Sequence, residues 1–201
     1  MQAVVFDVGN VLIGWNPYLV FRDLFKDDDR ITAFLEEIEF HEWNLSLDRG
    51  RDWEEAVQSL SASYPRWEKQ IRYFNDKWHL SISGEITDNV KVLNKLRESE
   101  VPVYAITNFA VQRWQETTTT YPFLKTHFVD SVVSGEVKMI KPDPDIFELF
   151  LNRNDLEAAA CIFIDDRADN VETASSLGFD CVLFQPETDL AGELRARGLP
   201  V

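Results

Sequence analysis

Residues 4–17 read VVFDVGNVLIGWNP, and this stretch decides the fold. Val4, Val5 and Phe6 are the β-branched and aromatic residues of a strand buried on both faces, expected over about residues 2–8. The run ends in a carboxylate, Asp7, with Gly9 two positions on. In an open α/β sheet, ligands bind outside the carboxyl ends of the strands. A charge at that point is therefore a candidate for chemistry. Just beyond, Asn16 is a candidate N-cap and Pro17 a first helical residue.

From there the texture is helical, and no strand is expected between about residues 15 and 84. DDDRITAFLEEIE places Ile31, Phe34, Leu35 and Ile38 at helical spacing, and DWEEAVQSLSASY does the same with Trp53, Ala56, Val57 and Leu60. After residue 84 strands and helices alternate. VPVYAIT, FVDSVVS, AACIFID and DCVLF read as strands. EITDNVKVLNKLRES, DPDIFELFLNR (capped by Asp143, with Pro144 following), ADNVETASSLG (stopped by Gly178) and TDLAGELRAR read as helices. VQRWQETTTTYPFL is a weaker helix, because four successive threonines are poor helix formers and part of it reads as loop. The alternation predicts an α/β fold: a parallel five-stranded sheet flanked by helices, with a helical cap inserted after the first strand. The core then comprises residues 1–14 and 85–201, and the cap residues 15–84.

Composition narrows the function. The chain has 201 residues, 45% hydrophobic, and a formal net charge of -15. One ordinary domain, or a core with a modest insertion, accounts for that length. The negative balance opposes non-specific nucleic-acid binding, which needs a positive field, and adsorption to an anionic membrane. No apolar run approaches the ~18 residues of a membrane span, and the chain opens directly on a strand without a signal-peptide pattern. A cytoplasmic protein is the expectation. Cys161 and Cys181, each in an apolar run, read as free thiols packed as small hydrophobes. His41, His79 and His127 lack metal-ligand spacing and read as structural or surface residues.

The strand ends carry the chemistry. The first apolar run ends in Asp7, the second in Thr107-Asn108 and the fourth in Asp165-Asp166, while the loop after the third carries Lys141 in IKPDP. The fold brings these distant groups to one crevice. Three carboxylates there repel one another unless some pKa values rise or a cation neutralises them. Oxygen ligands of this kind suit Mg²⁺. A carboxylate nucleophile, a cation, a lysine and hydroxyl and amide donors suit phosphoryl transfer to an aspartate.

With these residues in view, the chain resembles the haloacid dehalogenase-like superfamily, most of whose members are Mg²⁺-dependent phosphatases. FDVGNVL, AITN, KPDPDIF and IFIDDRADN are similar to its four motifs. The resemblance implies a Rossmann-like core with Asp7 as nucleophile. It implies Thr107, Asn108 and Lys141 around the phosphate. Mg²⁺ would be held by Asp7, Asp166 and the Gly9 carbonyl, with Asp165 behind them. It further implies a helical cap that selects a small phosphorylated metabolite, such as a sugar phosphate, in a monomer or homodimer.

Gly9 departs from the pattern. Phosphatases of the family usually carry there the aspartate that acts as general acid and base, and glycine can do neither. Either a group elsewhere replaces it, such as one from the cap or the GWNP turn, or the substrate has a good leaving group, or the chain is a non-catalytic metal- and phosphate-binding homologue. A 2-haloacid dehalogenase also lacks that aspartate, but has little use for the Asp165-Asp166 pair. The cap stretch EFHEWNLSLDRGR, with Trp43, Asn44, Asp48, Arg49 and Arg51, reads either as an inter-helix turn or as a loop facing the site. Trp15 and Asn16 read as pocket lining or as hinge.

Overall fold

A computed structural model describes residues 2–201. Strand β1 (Ala3–Phe6) is followed by β2 (Ile13–Trp15) and five helices: α1 (Tyr18–Phe21), α2 (Asp28–Glu37), α3 (Phe40–Asp48), α4 (Trp53–Ser63) and α5 (Glu68–Lys77). Then come β3 (Ile82–Glu85), α6 (Thr87–Glu98), β4 (Val103–Thr107), α7 (Val111–Thr120), α8 (Phe123–Thr126), β5 (Ser131–Val133) and α9 (Ser134–Val137). The chain closes through α10 (Pro144–Asn154), β6 (Cys161–Asp165), α11 (Ala168–Ser176), β7 (Asp180–Leu183) and α12 (Leu190–Ala196).

Five strands form one parallel sheet in the order β5-β4-β1-β6-β7. The chain builds outward from β1 on one side, through β4 and β5. It then crosses back to lay β6 and β7 on the other. The order reverses at β1, so a crevice opens at its carboxyl end, where Asp7 sits. Side chains alternate across the sheet. Val4 and Phe6 join a core that includes Leu93 of α6 and Leu194 of α12, while Ala3 and Val5 pack with Phe147 and Phe150 of α10 and Ala174 of α11. The helices α1–α5 enclose an aromatic cluster in which Phe74 stacks on Phe21 (ring centroids 5.6 Å apart) and meets Phe40 edge-on at 5.1 Å.

Four local expectations are corrected. A second, antiparallel sheet pairs β2 with β3, in the register Ile13↔Glu85 and Gly14↔Gly84, where no strand was expected between residues 15 and 84. Both strands are too short to show a period. The first strand is shorter than residues 2–8, so that Asp7 begins the loop. The threonine run stays helical through Thr120, since tertiary burial of Trp114 and Thr117 outweighs the weak propensity, and Thr117, Thr118, Thr119 and Thr120 each donate a hydroxyl hydrogen bond to a carbonyl three or four residues back. The Phe40–Asp48 stretch is helix rather than turn.

Other local readings match. Asn16 Oδ1 accepts from the Tyr18 N–H at 3.0 Å, capping α1. Asp143 precedes Pro144 at the start of α10, although its side chain makes no capping hydrogen bond. The chain turns at Gly178 with φ +97° after α11. Both cysteines are free, Cys161 buried and Cys181 partly so. Among the described residues no helix is long and apolar enough to cross a membrane.

Candidate active site

Asp7 is placed by the two strands beside β1. Its backbone N–H donates to Ile164 O at 2.8 Å, which sets Asp7 next to Asp165 at the end of β6. Lys141, from the loop between α9 and α10, lies between them. Its Nζ is 2.8 Å from Asp7 Oδ1 and 2.6 Å from Asp165 Oδ2. All three are sealed, exposed by 7% (Asp7), 2% (Lys141) and 0% (Asp165).

Asp165 is saturated with donors. Besides Lys141 it receives the Arg167 backbone N–H at 2.9 Å and the Asn170 amide on both oxygens, at 2.9 and 3.0 Å. Asp166, half-buried, borders the crevice, where the nearby Asn10 side chain favours its charged form. Asn10 sits in the left-handed region at φ +55°, which asparagine tolerates better than most residues, and its Oδ1 accepts from the Trp15 N–H at 2.9 Å. Asn10 therefore ties the Asp7 loop to β2 and lies beside Asp166.

One carboxyl oxygen from each of Asp7, Asp165 and Asp166 lies within 4.8 Å of the others. Burial pushes Asp7 up to about 7, with Lys141 opposing and the charge of Asp165 adding. Burial, then the charge of Asp165, also raises Asp166. Burial disfavours the Lys141 ammonium, but Asp165 and Asp7 outweigh it and hold its pKa above the usual range. Three carboxylates against one ammonium leave the cluster short of positive charge. An all-oxygen donor set with that deficit fits a hard divalent cation.

Asn108 and Lys141 exchange two hydrogen bonds, each 2.8 Å: Asn108 Nδ2 donates to Lys141 O, and Lys141 N donates to Asn108 Oδ1. The Asn108 amide therefore positions the lysine as well as bordering the crevice. Thr107, 1% exposed, ends β4 beside Val133 of β5.

Above these groups lies a cavity of about 220 Å³, bordered by Asp7, Gly9, Asn108 and Asp166 from the sheet side and by Asn44 and Asp48 from α3. Trp15, Trp53, Trp78 and Phe109 supply aromatic wall. Arg113 closes another side. It stacks on Trp53 with its guanidinium carbon 4.0 Å from the ring centroid and donates to Asn75 of α5 at 2.9 and 3.0 Å, joining α7 to the helical segment.

Sequence reading singled out Asp7, Gly9, Thr107, Asn108, Lys141, Asp165 and Asp166, and the topology gathers them at one end of the sheet. It missed Asn10, Arg113 and Asn170. The IFIDDRADN stretch held a signal for Asn170, which lies five residues past Asp165 on the first turn of α11. Asn10 and Arg113 gave none, since their roles depend on a tight turn and on an interhelical contact.

The fold and this acidic crevice define a hydrolase of the α/β class. The chain belongs to the haloacid dehalogenase-like hydrolase family, which it matches over residues 1–178. It is 25% identical over 181 residues, 88% of this chain and 86% of the other, to the sesquiterpene phosphatase astK of Aspergillus oryzae. A HAD family enzyme from Bacteroides thetaiotaomicron, solved with magnesium and inorganic phosphate, superposes with TM-score 0.79 at 22% identity, over 97% of this chain and 100% of that one. The L-2-haloacid dehalogenase of Xanthobacter autotrophicus superposes less closely, with TM-score 0.63 at 18% identity, over 99% and 84% of the two chains.

Proposed function

We propose that the protein is a Mg²⁺-dependent phosphatase that hydrolyses a small phosphate monoester through an aspartyl-phosphate on Asp7. The observation that carries this reading is the cluster of Asp7, Asp165 and Asp166 bridged by a buried lysine. A haloacid carries its own negative charge, and a crevice with three carboxylates repels it. A phosphoryl group brought in with a divalent cation is instead held there. The similarity to a sesquiterpene phosphatase supports the same chemistry.

Asp7 and Asp166, with the Gly9 carbonyl, would hold the ion. Asp165 suits a place behind them, since its oxygens are already taken by Lys141, Arg167 and Asn170. The bound ion supplies charge neutralisation for the phosphoryl oxygens. Asp7 attacks phosphorus in line with the leaving oxygen, and water then cleaves the acyl phosphate. Lys141 balances charge on Asp7 and the phosphoryl oxygens, while Thr107 and Asn108 border the phosphate. Residues 15–84 act as a cap, and their tryptophans form a surface on which the sugar or apolar body of a small metabolite stacks.

Mg²⁺-dependent release of phosphate from an aryl phosphate and a panel of sugar phosphates, with Asp7→Asn as control, tests this. Release abolished by the substitution and by chelation supports it. No release from any substrate, with Mg²⁺ still bound, favours a binding protein. Metal-independent halide release from 2-haloacids overturns it in favour of a dehalogenase.

A further inference from the structure

A phosphatase of this kind needs a proton for the departing alkoxide and, later, an acceptor for a proton of the attacking water. Residue 9 cannot serve, and the space beside it is open: nothing stands within 4 Å of where a Cβ on Gly9 would lie. Asp48, on the last turn of α3, borders the same cavity from the helical side.

Its position is fixed. Asn44, one turn earlier on the same face, donates Nδ2 to Asp48 Oδ2 at 3.1 Å, and the Ala110 backbone N–H at the start of α7 lies near enough to favour its charged form. Gly50, at φ +88°, lies so close to the core that a Cβ there would stand 2.7 Å from Gly135 O. Only glycine lets the end of α3 settle at that depth. The two arginines bordering the cavity are occupied elsewhere, Arg113 by Glu116 at 2.8 Å and Arg167 by Asp169 at 2.6 Å. Among the described residues no salt bridge fixes Asp48 as an anion.

We propose that Asp48, reaching across from the helical segment, is the general acid and base of the reaction and takes the place of the side chain that Gly9 lacks. This deepens the phosphatase reading above and rests on it. In the first half-reaction Asp7 Oδ forms a bond to phosphorus. The P–O ester bond breaks, its electron pair stays on the leaving oxygen, and that oxygen takes the proton of the Asp48 carboxylic acid. In the second half-reaction the Asp48 carboxylate removes a proton from water. The water oxygen bonds to phosphorus, and the P–O bond to Asp7 breaks. Phosphate leaves, and both aspartates return to their starting states. The environment supports this cycle. Burial pushes Asp48 up to about 7, with the nearby Ala110 backbone N–H opposing and the charge of Asp7 adding, so acid and base forms are both populated near neutrality.

Rapid mixing with Mg²⁺ and two probes tests the assignment. 2,4-Dinitrophenyl phosphate has a leaving group that departs without a proton; ethyl phosphate does not. With the dinitrophenyl ester, Asp48→Asn is expected to release about one equivalent of dinitrophenolate in a fast burst. It then turns over ~100-fold or more slower than wild type, because the second half-reaction lacks its base. With ethyl phosphate even the first turnover slows by a similar factor. Asp48→Ala provides a second variant, whose steady-state rate added acetate raises. Burst and steady state falling in proportion mark a merely structural residue and overturn the proposal. So does turnover of both probes within about threefold of wild type. If wild type itself releases phosphate from neither probe nor from the sugar phosphates, the phosphatase reading falls and takes this one with it. If wild type is active and the variants behave like it, only the assignment of Asp48 falls.

Discussion

Asn108 and Lys141 are locked by two reciprocal hydrogen bonds of 2.8 Å, so that a side chain at the end of β4 holds the backbone of the loop carrying the lysine. The ammonium that bridges Asp7 and Asp165 is placed from across the sheet. Asn108→Ala removes both bonds and leaves the Lys141 N–H and C=O without those partners. A cost of about 1–3 kcal/mol per orphaned buried group follows, together with a fall in phosphate release of ~10-fold or more as the lysine drifts. Denaturant unfolding and steady-state kinetics check the two effects. Unchanged stability would mean that the loop holds its shape without Asn108.

Lys141→Met keeps the length of the side chain and deletes the charge. Asp7 and Asp165 then face each other without the intervening ammonium. Breaking a buried ion pair from one side costs about 3–5 kcal/mol, or a melting temperature lower by roughly 10 °C. The variant is expected to regain more melting temperature on Mg²⁺ addition than wild type does. Calorimetry with and without the ion reads both quantities.

Wild-type protein is expected to melt higher with Mg²⁺ than with chelator. At one hundred times its Kd the ion adds about 2.7 kcal/mol, roughly 5–10 °C for a chain of this size. Asp166→Asn preserves shape, removes one carboxylate of the cluster, and should lose most of that shift. A full shift in the variant would place the ion elsewhere.

The pH dependence of stability isolates Asp48, whose native pKa stands near 7 against an ordinary 3.8. Raising the native pKa of an acid leaves the folded state holding more protons than the unfolded one, so wild type loses stability as pH rises from about 4 to about 7. Asparagine does not titrate. Asp48→Asn should therefore match wild type near pH 4 and gain on it up to about pH 7, after which the gap stays constant. At about 1.4 kcal/mol per unit the gap is at most about 4 kcal/mol. Melting curves at several pH values check it, and a gap that does not change with pH refutes it.

Much of this site was legible because buried parallel strands read as apolar runs and stop where polarity resumes. Asp7, Thr107 and Asp165 each mark such a stop, and the alternation of strands and helices gathers the stops at one end. What stayed hidden depends on tertiary contact. The stretch with Asn44 and Asp48 read either as a turn or as facing the site, and both residues border the cavity, but the close approach of Gly50 to Gly135 that seats the end of α3 is encoded by no period within the helix. The threonines of α7 stay helical against a weak propensity because the helix buries Trp114 and Thr117 against the core, a tertiary contact. The β2-β3 pair is too short for alternation to register at all.

That short pair has a larger consequence. The chain leaves the core along β2 and returns along β3, and the hydrogen bonds Asn16 N–H to Ser81 O and Ile86 N–H to Leu12 O, both 2.8 Å, flank the paired strands. The five intervening helices thus enter and leave through one two-stranded stem. The sheet end that holds Asp7, Lys141 and Asp165 is separate in the chain from these helices, which meet it again through Arg113 on Asn75 and Gly50 on Gly135. A change of helix length between Trp15 and Ile82 therefore alters the wall that Asn44 and Asp48 supply while leaving the strand ends beneath it unchanged in sequence.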